Sequence, residues 1–86
     1  MFYIYILKSI KSGRMYTGYT NNLRKRFEQH SKGESYFTKR ERPYLLIYYE
    51  ACLNEDDARS REKYLKSGMG KRYVKNRLKR FLSLTG

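Results

Sequence analysis

The stretch FYIYILKSIKSGRMYTGYT, residues 2–20, sets two strand-like segments on either side of a polar turn. Phe2 to Leu7 alternates two residue sets, Met15 to Tyr19 resumes the pattern, and Lys11-Ser12-Gly13-Arg14 supplies a glycine-containing turn between them. The stretch therefore reads as a β-hairpin. It carries four tyrosines, and β-propensity alone accounts for them, because the phenol ring packs well on a pleated surface. The two halves nevertheless echo each other as Tyr3-Ile4-Tyr5 and Tyr16-Thr17-Gly18, which puts Tyr5 and Tyr16 on neighbouring strands, where two phenols can face one site.

Outward from the hairpin, Asn21 or Asn22 caps a helix that runs to about His30, and Ser31-Lys32-Gly33 stops it. Residues 34–43 are polar and end at Pro43, a loop. Tyr44 to Ala51 is rich in Tyr, Leu and Ile with no charge before Glu50, a third and well-buried strand. Asn54 followed by Glu55, Asp56 and Asp57 starts a second helix, since the cap satisfies free N–H groups and the acids complement the dipole. It runs to about Lys66. Gly68-Met69-Gly70 breaks it, and Val74, Leu78, Phe81 and Leu82 mark the apolar stripe of one terminal helix. The order strand, strand, helix, strand, helix, helix predicts an α+β fold: a three-stranded antiparallel sheet flanked by helices, in one domain over residues 1–86.

Size and charge narrow the function. The 86 residues hold one small core, and no apolar run approaches the roughly 18 residues that a membrane span needs. A single cysteine, Cys52, forms no internal disulfide, and the start at Met1 lacks a signal-peptide pattern; both predict a reducing cytoplasm. A formal net charge of +12 favours a polyanionic partner, nucleic acid first, and no obligate protein partner is evident. The terminal helix sets basic residues beside Val74, Leu78 and Phe81, a pattern that an anionic membrane surface would also attract. Core packing explains that stripe more simply.

Glu62 is the most informative acid. At about 100° per residue it falls with Ala58 and Leu65 on the apolar face of its helix. A carboxylate there is either half of an internal ion pair with a neighbouring Arg or a ligand for a divalent cation, since Mg²⁺ is commonly held by one or two carboxylates with water and phosphate oxygens. In the first helix Arg26 and His30 border the buried stripe set by Leu23 and Phe27, whereas Arg24 points further round toward solvent. A guanidinium at the core's edge suits a phosphate, because its planar donors match two oxygens and its charge does not titrate away. Its structural alternative is a salt bridge to Glu62; that of His30 is a satisfied core histidine.

Together these residues resemble the GIY-YIG endonuclease superfamily. The likeness rests on Tyr3-Ile4-Tyr5, Tyr16-Thr17-Gly18, Asn22-Leu23-Arg24-Lys25-Arg26-Phe27-Glu28-Gln29-His30 and the helical Glu62, and it covers nearly the whole chain. It is closest to the small single-domain members, whose later motifs are similar to Phe37-Thr38-Lys39 and Arg61-Glu62-Lys63-Tyr64-Leu65-Lys66. The resemblance implies a metal-dependent phosphodiesterase acting on DNA, in repair or the processing of branched DNA. Tyr5 and Tyr16 then stand at the two signature tyrosines, Arg26 at the phosphate-binding arginine, His30 at the downstream histidine and Glu62 at the ligand of one Mg²⁺ or Mn²⁺. One phenol of the pair helps deprotonate water and the other orders the water or the phosphate; the resemblance does not say which. Arg24, the loop residues Lys32, Thr38, Lys39 and Arg40, and Lys71, Arg72, Lys75 and Asn76 of the terminal helix would grip the backbone.

Three departures stand out. The glycine of the first motif is Tyr3, the middle of the second is Thr17, and Tyr19 occupies a position where several members carry a lysine that lowers the pKa of the base. Charge alone favours a basic nucleic-acid-binding protein without catalysis, because basic domains of this size bind DNA or RNA far more often than they cut it. The inward acid separates the two readings, because a pure binder gains nothing from a carboxylate that repels phosphate.

Overall fold

The strand β1, Phe2–Ser9, lies between β2, Met15–Thr20, and β3, Tyr44–Cys52, and pairs antiparallel with both. The computed structural model describes residues 1–35 and 38–85. The hairpin register sets Tyr5 opposite Gly18 and Leu7 opposite Tyr16, so Tyr5 and Tyr16 share one face. Ile4 and Ile6 point to the other. The sheet is therefore covered on both sides, and the alternation along β1 decides what each cover must be.

The cover on the Tyr5 face is α1, Leu23–Ser31. Asn22 is its cap, the side chain accepting from the Lys25 N–H. The chain leaves the helix through Gly33, whose φ of 77° is open to glycine at no steric cost. Leu23 and Phe27 pack on the cluster of Tyr5, Leu7 and Tyr44. The cover on the Ile4 face is α2, Glu55–Lys66, with α3, Gly68–Arg77: Ala58, Leu65 and Val74 close on Ile4 and Ile6 in a wholly apolar cluster. Asn54 caps α2, accepting from the N–H groups of Asp56 and Asp57. A bidentate pair from Arg61 to Glu50 at 2.8 and 3.0 Å, which Tyr48 joins through its hydroxyl at 2.7 Å, ties α2 to β3.

The α+β order stands, but the third strand is not the well-buried one expected: β3 lies at a sheet edge and only Tyr44 of its residues is buried, with Leu45 and Tyr49 exposed. Two further corrections fall at the C-terminal end. Gly68 and Gly70 do not form the break; Ser67 does, capping α3 through its bond from the Gly70 N–H, and the glycines fill the first turn. Gly70 is needed there for space, since a Cβ would collide with the Tyr64 carbonyl and the Leu65 backbone where α2 and α3 meet. The single terminal helix is in fact two. Leu78 leaves the helical region to lay its side chain on the apolar cluster, and α4, Lys79–Thr85, follows. The loop before Pro43 also contains one 3-10 turn, Lys39–Glu41. Phe37 lies outside the described residues. Among those described, no helix is long and apolar enough to cross a membrane, and Phe81 is half-buried.

Candidate active site

Four side chains from three elements meet above the Tyr5 face. The Tyr5 hydroxyl lies 2.9 Å from His30 Nε2, and Arg26 donates to the same oxygen through Nε at 3.3 Å. The Tyr16 ring stands 6.4 Å from that of Tyr5 and 5.2 Å from that of His30, centroid to centroid. Helical spacing makes this possible: Arg26 and His30 are four residues apart, one turn of α1, and both project toward the hairpin. Arg26 is further held by Gln29, whose Oε1 accepts from Nη1 at 2.9 Å.

Gly18 delivers the phenol to this point. A Cβ at residue 18 would collide with the Tyr5 hydroxyl and its ring carbon, so the Tyr5 side chain passes directly over β2 toward that strand's open edge. The glycine of the second motif is thus a matter of space, which the spacing of the tyrosines alone does not reveal.

Burial shapes the protonation of the cluster. Tyr5 is held above the ordinary phenol range by burial, with the field of Tyr16 and Glu62 adding to it and the Arg26 hydrogen bond and charge opposing it. His30 is completely buried, and desolvation with the neighbouring Arg26 charge lowers it to about 4. The imidazole is neutral near pH 7, so one ring nitrogen donates and the other accepts.

Glu62 approaches from the opposite layer. It lies between Ala58 and Leu65 on the inward stripe of α2, its side chain 19% exposed, and α2 flanks β2, where Arg59 sits over the Tyr19 ring at 4.1 Å. Its charge is the least of the influences that raise the Tyr5 pKa, behind burial and the Tyr16 phenol. Its ion pair is with Lys66 at 3.0 Å, one turn along the helix, and not with Arg26. Among the described residues no three His, Cys, Asp or Glu side chains gather as a metal cluster. A lone carboxylate fits a hard divalent cation that keeps water and phosphate oxygens as its other ligands, and it does not fit a cation that demands several protein nitrogens or sulfurs.

The remaining expected contacts divide. Arg24, Lys32, Lys39, Arg40, Lys71, Arg72, Lys75 and Asn76 are exposed. Lys71 and Lys75 line a cavity of about 340 Å³ with Ile6, Thr17, Leu65 and Val74, on the layer away from His30. Thr38 is a correction: it is 1% exposed, and its Oγ1 lies 2.6 Å from His30 Nδ1, so it sits beneath the cluster rather than on a surface that meets nucleic acid. Arg59, Lys63 and Lys66, absent from the expected grip, share a groove with Glu62. The one-turn spacing of Arg59 and Lys66 about Glu62 carried that signal. Arg59 also supplies a cation beside Tyr19, the position that lacks the family's lysine.

Comparison with known proteins agrees with this architecture. Residues 1–76 match the family model described as the GIY-YIG catalytic domain. The chain is 45% identical over 67 residues to a UPF0213 protein of Clostridium perfringens, covering 77% of this chain and 71% of the relative. It is 40% identical over 85 residues to a UPF0213 protein of Pediococcus pentosaceus, covering 98% and 88%, and 38% identical over 81 residues to one of Pediococcus acidilactici, covering 87% and 82%. No solved structure matches it.

Proposed function

We propose that this chain, which belongs to the GIY-YIG catalytic domain family, is an endonuclease that hydrolyses phosphodiester bonds in DNA with one divalent metal ion. The observation that carries the reading is the Tyr5 oxygen, buried and bonded to both Arg26 and His30. A purely structural tyrosine needs one hydrogen-bond partner; this one is given a cation and an imidazole nitrogen.

In this reading Tyr5 takes a proton from water as it yields its own to His30 Nε2, and Arg26 offsets charge on the Tyr5 oxygen and on the phosphate. Tyr16 orders the water or the phosphate. Glu62 would hold Mg²⁺ or Mn²⁺, which when bound supplies Lewis-acid stabilisation of the phosphate oxygens. Arg59, Lys63, Lys66, Arg24 and the exposed cations of the loop and α3 hold the backbone without reading bases. Substrates from repair or branched-DNA processing suit a surface that grips phosphate, and the free Cys52 suits a reducing cytoplasm.

The test is incubation with labelled duplex, single-stranded, flapped and branched DNA, with and without Mg²⁺ or Mn²⁺, for the wild type and Glu62→Gln. Cleavage should require metal and vanish in the variant, while DNA binding persists. Because the ion pair of Glu62 among the described residues is with an exposed lysine one turn away, removing its charge should change stability by less than about 1 kcal/mol. A well-folded variant that cuts at the wild-type rate would remove Glu62 from the chemistry. Binding without cleavage on every substrate and metal would leave a non-catalytic DNA binder.

A further inference from the structure

We propose that Thr38 is a positioning residue that holds His30 in the tautomer with its proton on Nδ1, so that the Nε2 lone pair is free to receive the Tyr5 proton. The inference rests on the reading of Tyr5 above and adds to it the group that orients its proton acceptor.

The geometry is a chain of three side chains shut away from solvent. Thr38 Oγ1 lies 2.6 Å from His30 Nδ1, and His30 Nε2 lies 2.9 Å from the Tyr5 hydroxyl; the three residues are 1%, 0% and 1% exposed. With bulk water excluded, the tautomer is set by these neighbours. Arg26 is a donor only, and it already points Nε at the Tyr5 oxygen. If His30 carried its proton on Nε2, two donors would converge on that oxygen, and the phenol's own proton would find no acceptor among its described partners. With the proton on Nδ1 the three bonds run in one direction: Arg26 donates to Tyr5, Tyr5 donates to Nε2, and Nδ1–H donates to Thr38, whose rotatable hydroxyl turns its own proton away from the ring.

The proton step then balances. Water gives a proton to the Tyr5 oxygen, the Tyr5 proton passes to Nε2, and the products are hydroxide and an imidazolium whose Nδ1–H remains on Thr38. Burial and the Arg26 charge disfavour that imidazolium in the free protein. The negative charge of a phosphodiester beside Arg26, which grows as hydroxide attacks, offsets the repulsion and links proton uptake to the presence of substrate. The Thr38 hydroxyl plays the part that a carboxylate plays in a Ser-His-Asp triad, orienting the imidazole without taking its proton.

His30 is the sole histidine in the chain, so its tautomer is directly readable. In protein labelled with ¹⁵N-histidine, the wild type at neutral pH should show the Nδ1–H form. Thr38→Val, which keeps the shape and removes the hydroxyl, should shift His30 toward Nε2–H, and Thr38→Ser should retain Nδ1–H. On a substrate that the wild type cuts, Thr38→Val should lower kcat by about ten- to a hundred-fold with KM unchanged, and Thr38→Ser should restore it. A wild type found in the Nε2–H form, or a folded Thr38→Val still in the Nδ1–H form, overturns the proposal. Should Thr38→Val fail to fold, the wild type and Thr38→Ser spectra decide the tautomer by themselves. A wild type that cuts nothing refutes the nuclease reading instead, whatever the spectra show.

Discussion

The two faces of β1 bury side chains equally and use them differently. Ile4 and Ile6 are 0% and 2% exposed and pack in one apolar cluster with Ala58, Leu65 and Val74. Tyr5, 1% exposed on the same strand, meets a guanidinium and an imidazole. Burial alone therefore does not distinguish scaffold from site; the partners do. On the apolar layer stability comes from area and volume, which is tolerant of exact shape and intolerant of lost bulk. On the Tyr5 layer each donor must find its acceptor, which reverses the tolerance.

The largest expected effect tests the polar layer. Tyr5→Phe removes one oxygen and should lower cleavage by about 10²–10⁴-fold, the range of general acid–base contributions, while stability falls by only about 1–3 kcal/mol as Arg26 and His30 lose their shared partner. Single-turnover cleavage and urea unfolding on one preparation check both halves. Cleavage at the wild-type rate would reduce the Tyr5 layer to packing.

Leu65→Ala is the mirror experiment on the apolar layer. It should lower stability by about 2–5 kcal/mol through the lost side chain and the cavity left behind, with turnover per folded molecule unchanged. A turnover loss that active-site titration does not explain would show that the layers are not separable.

Acid should open the polar layer first. The folded-state pKa of His30, about 4, lies below its ordinary 6.5, so between those values the unfolded chain binds the proton and the folded chain does not. The stabilisation is fully present above about pH 6.5, declines as pH falls toward 4, and amounts to up to about 3 kcal/mol. Glu50, held below the usual carboxylate range chiefly by its Arg61 hydrogen bond, releases its own contribution only at lower pH. Unfolding free energies at pH 7, 5.5 and 4 should trace this decline, and His30→Gln should flatten it. A wild-type curve flat over that interval would mean that His30 is not excluded from protonation.

The smallest effect belongs to the far layer's cations. Lys75→Ala on α3 should weaken DNA binding slightly, reduce the slope of log affinity against log salt by at most about one, and leave turnover of bound DNA intact. A change in turnover would bring α3 into the site.

Much of this was legible before any coordinates. Asn22 and Asn54 announce their helices because a cap is a local event, one side chain meeting N–H groups two or three residues on. The hairpin and the existence of the third strand follow from strand periodicity, whereas the alliance of Tyr5, Tyr16, Arg26 and His30 comes from the family resemblance; the burial expected of the third strand is not met, because an edge position leaves only Tyr44 of β3 buried. The split at Leu78 was not legible, since no Gly or Pro marks it and it answers to a cluster formed by residues far away in sequence. Nor was Thr38, which a motif assigned to the surface and the fold buried beneath His30.

The sequence by itself determined the elements, their order, the charge and the inward bias of Glu62, all of which depend on spacing along the chain. Only the tertiary structure decided that Tyr5 crosses β2 over Gly18, that α2 with Glu62 lies on the layer opposite Tyr5, and that Thr38 faces His30. Those are relations between residues 8 to 57 positions apart, held by packing in three dimensions, and a one-dimensional period carries no information about which hydroxyl will close on which ring nitrogen.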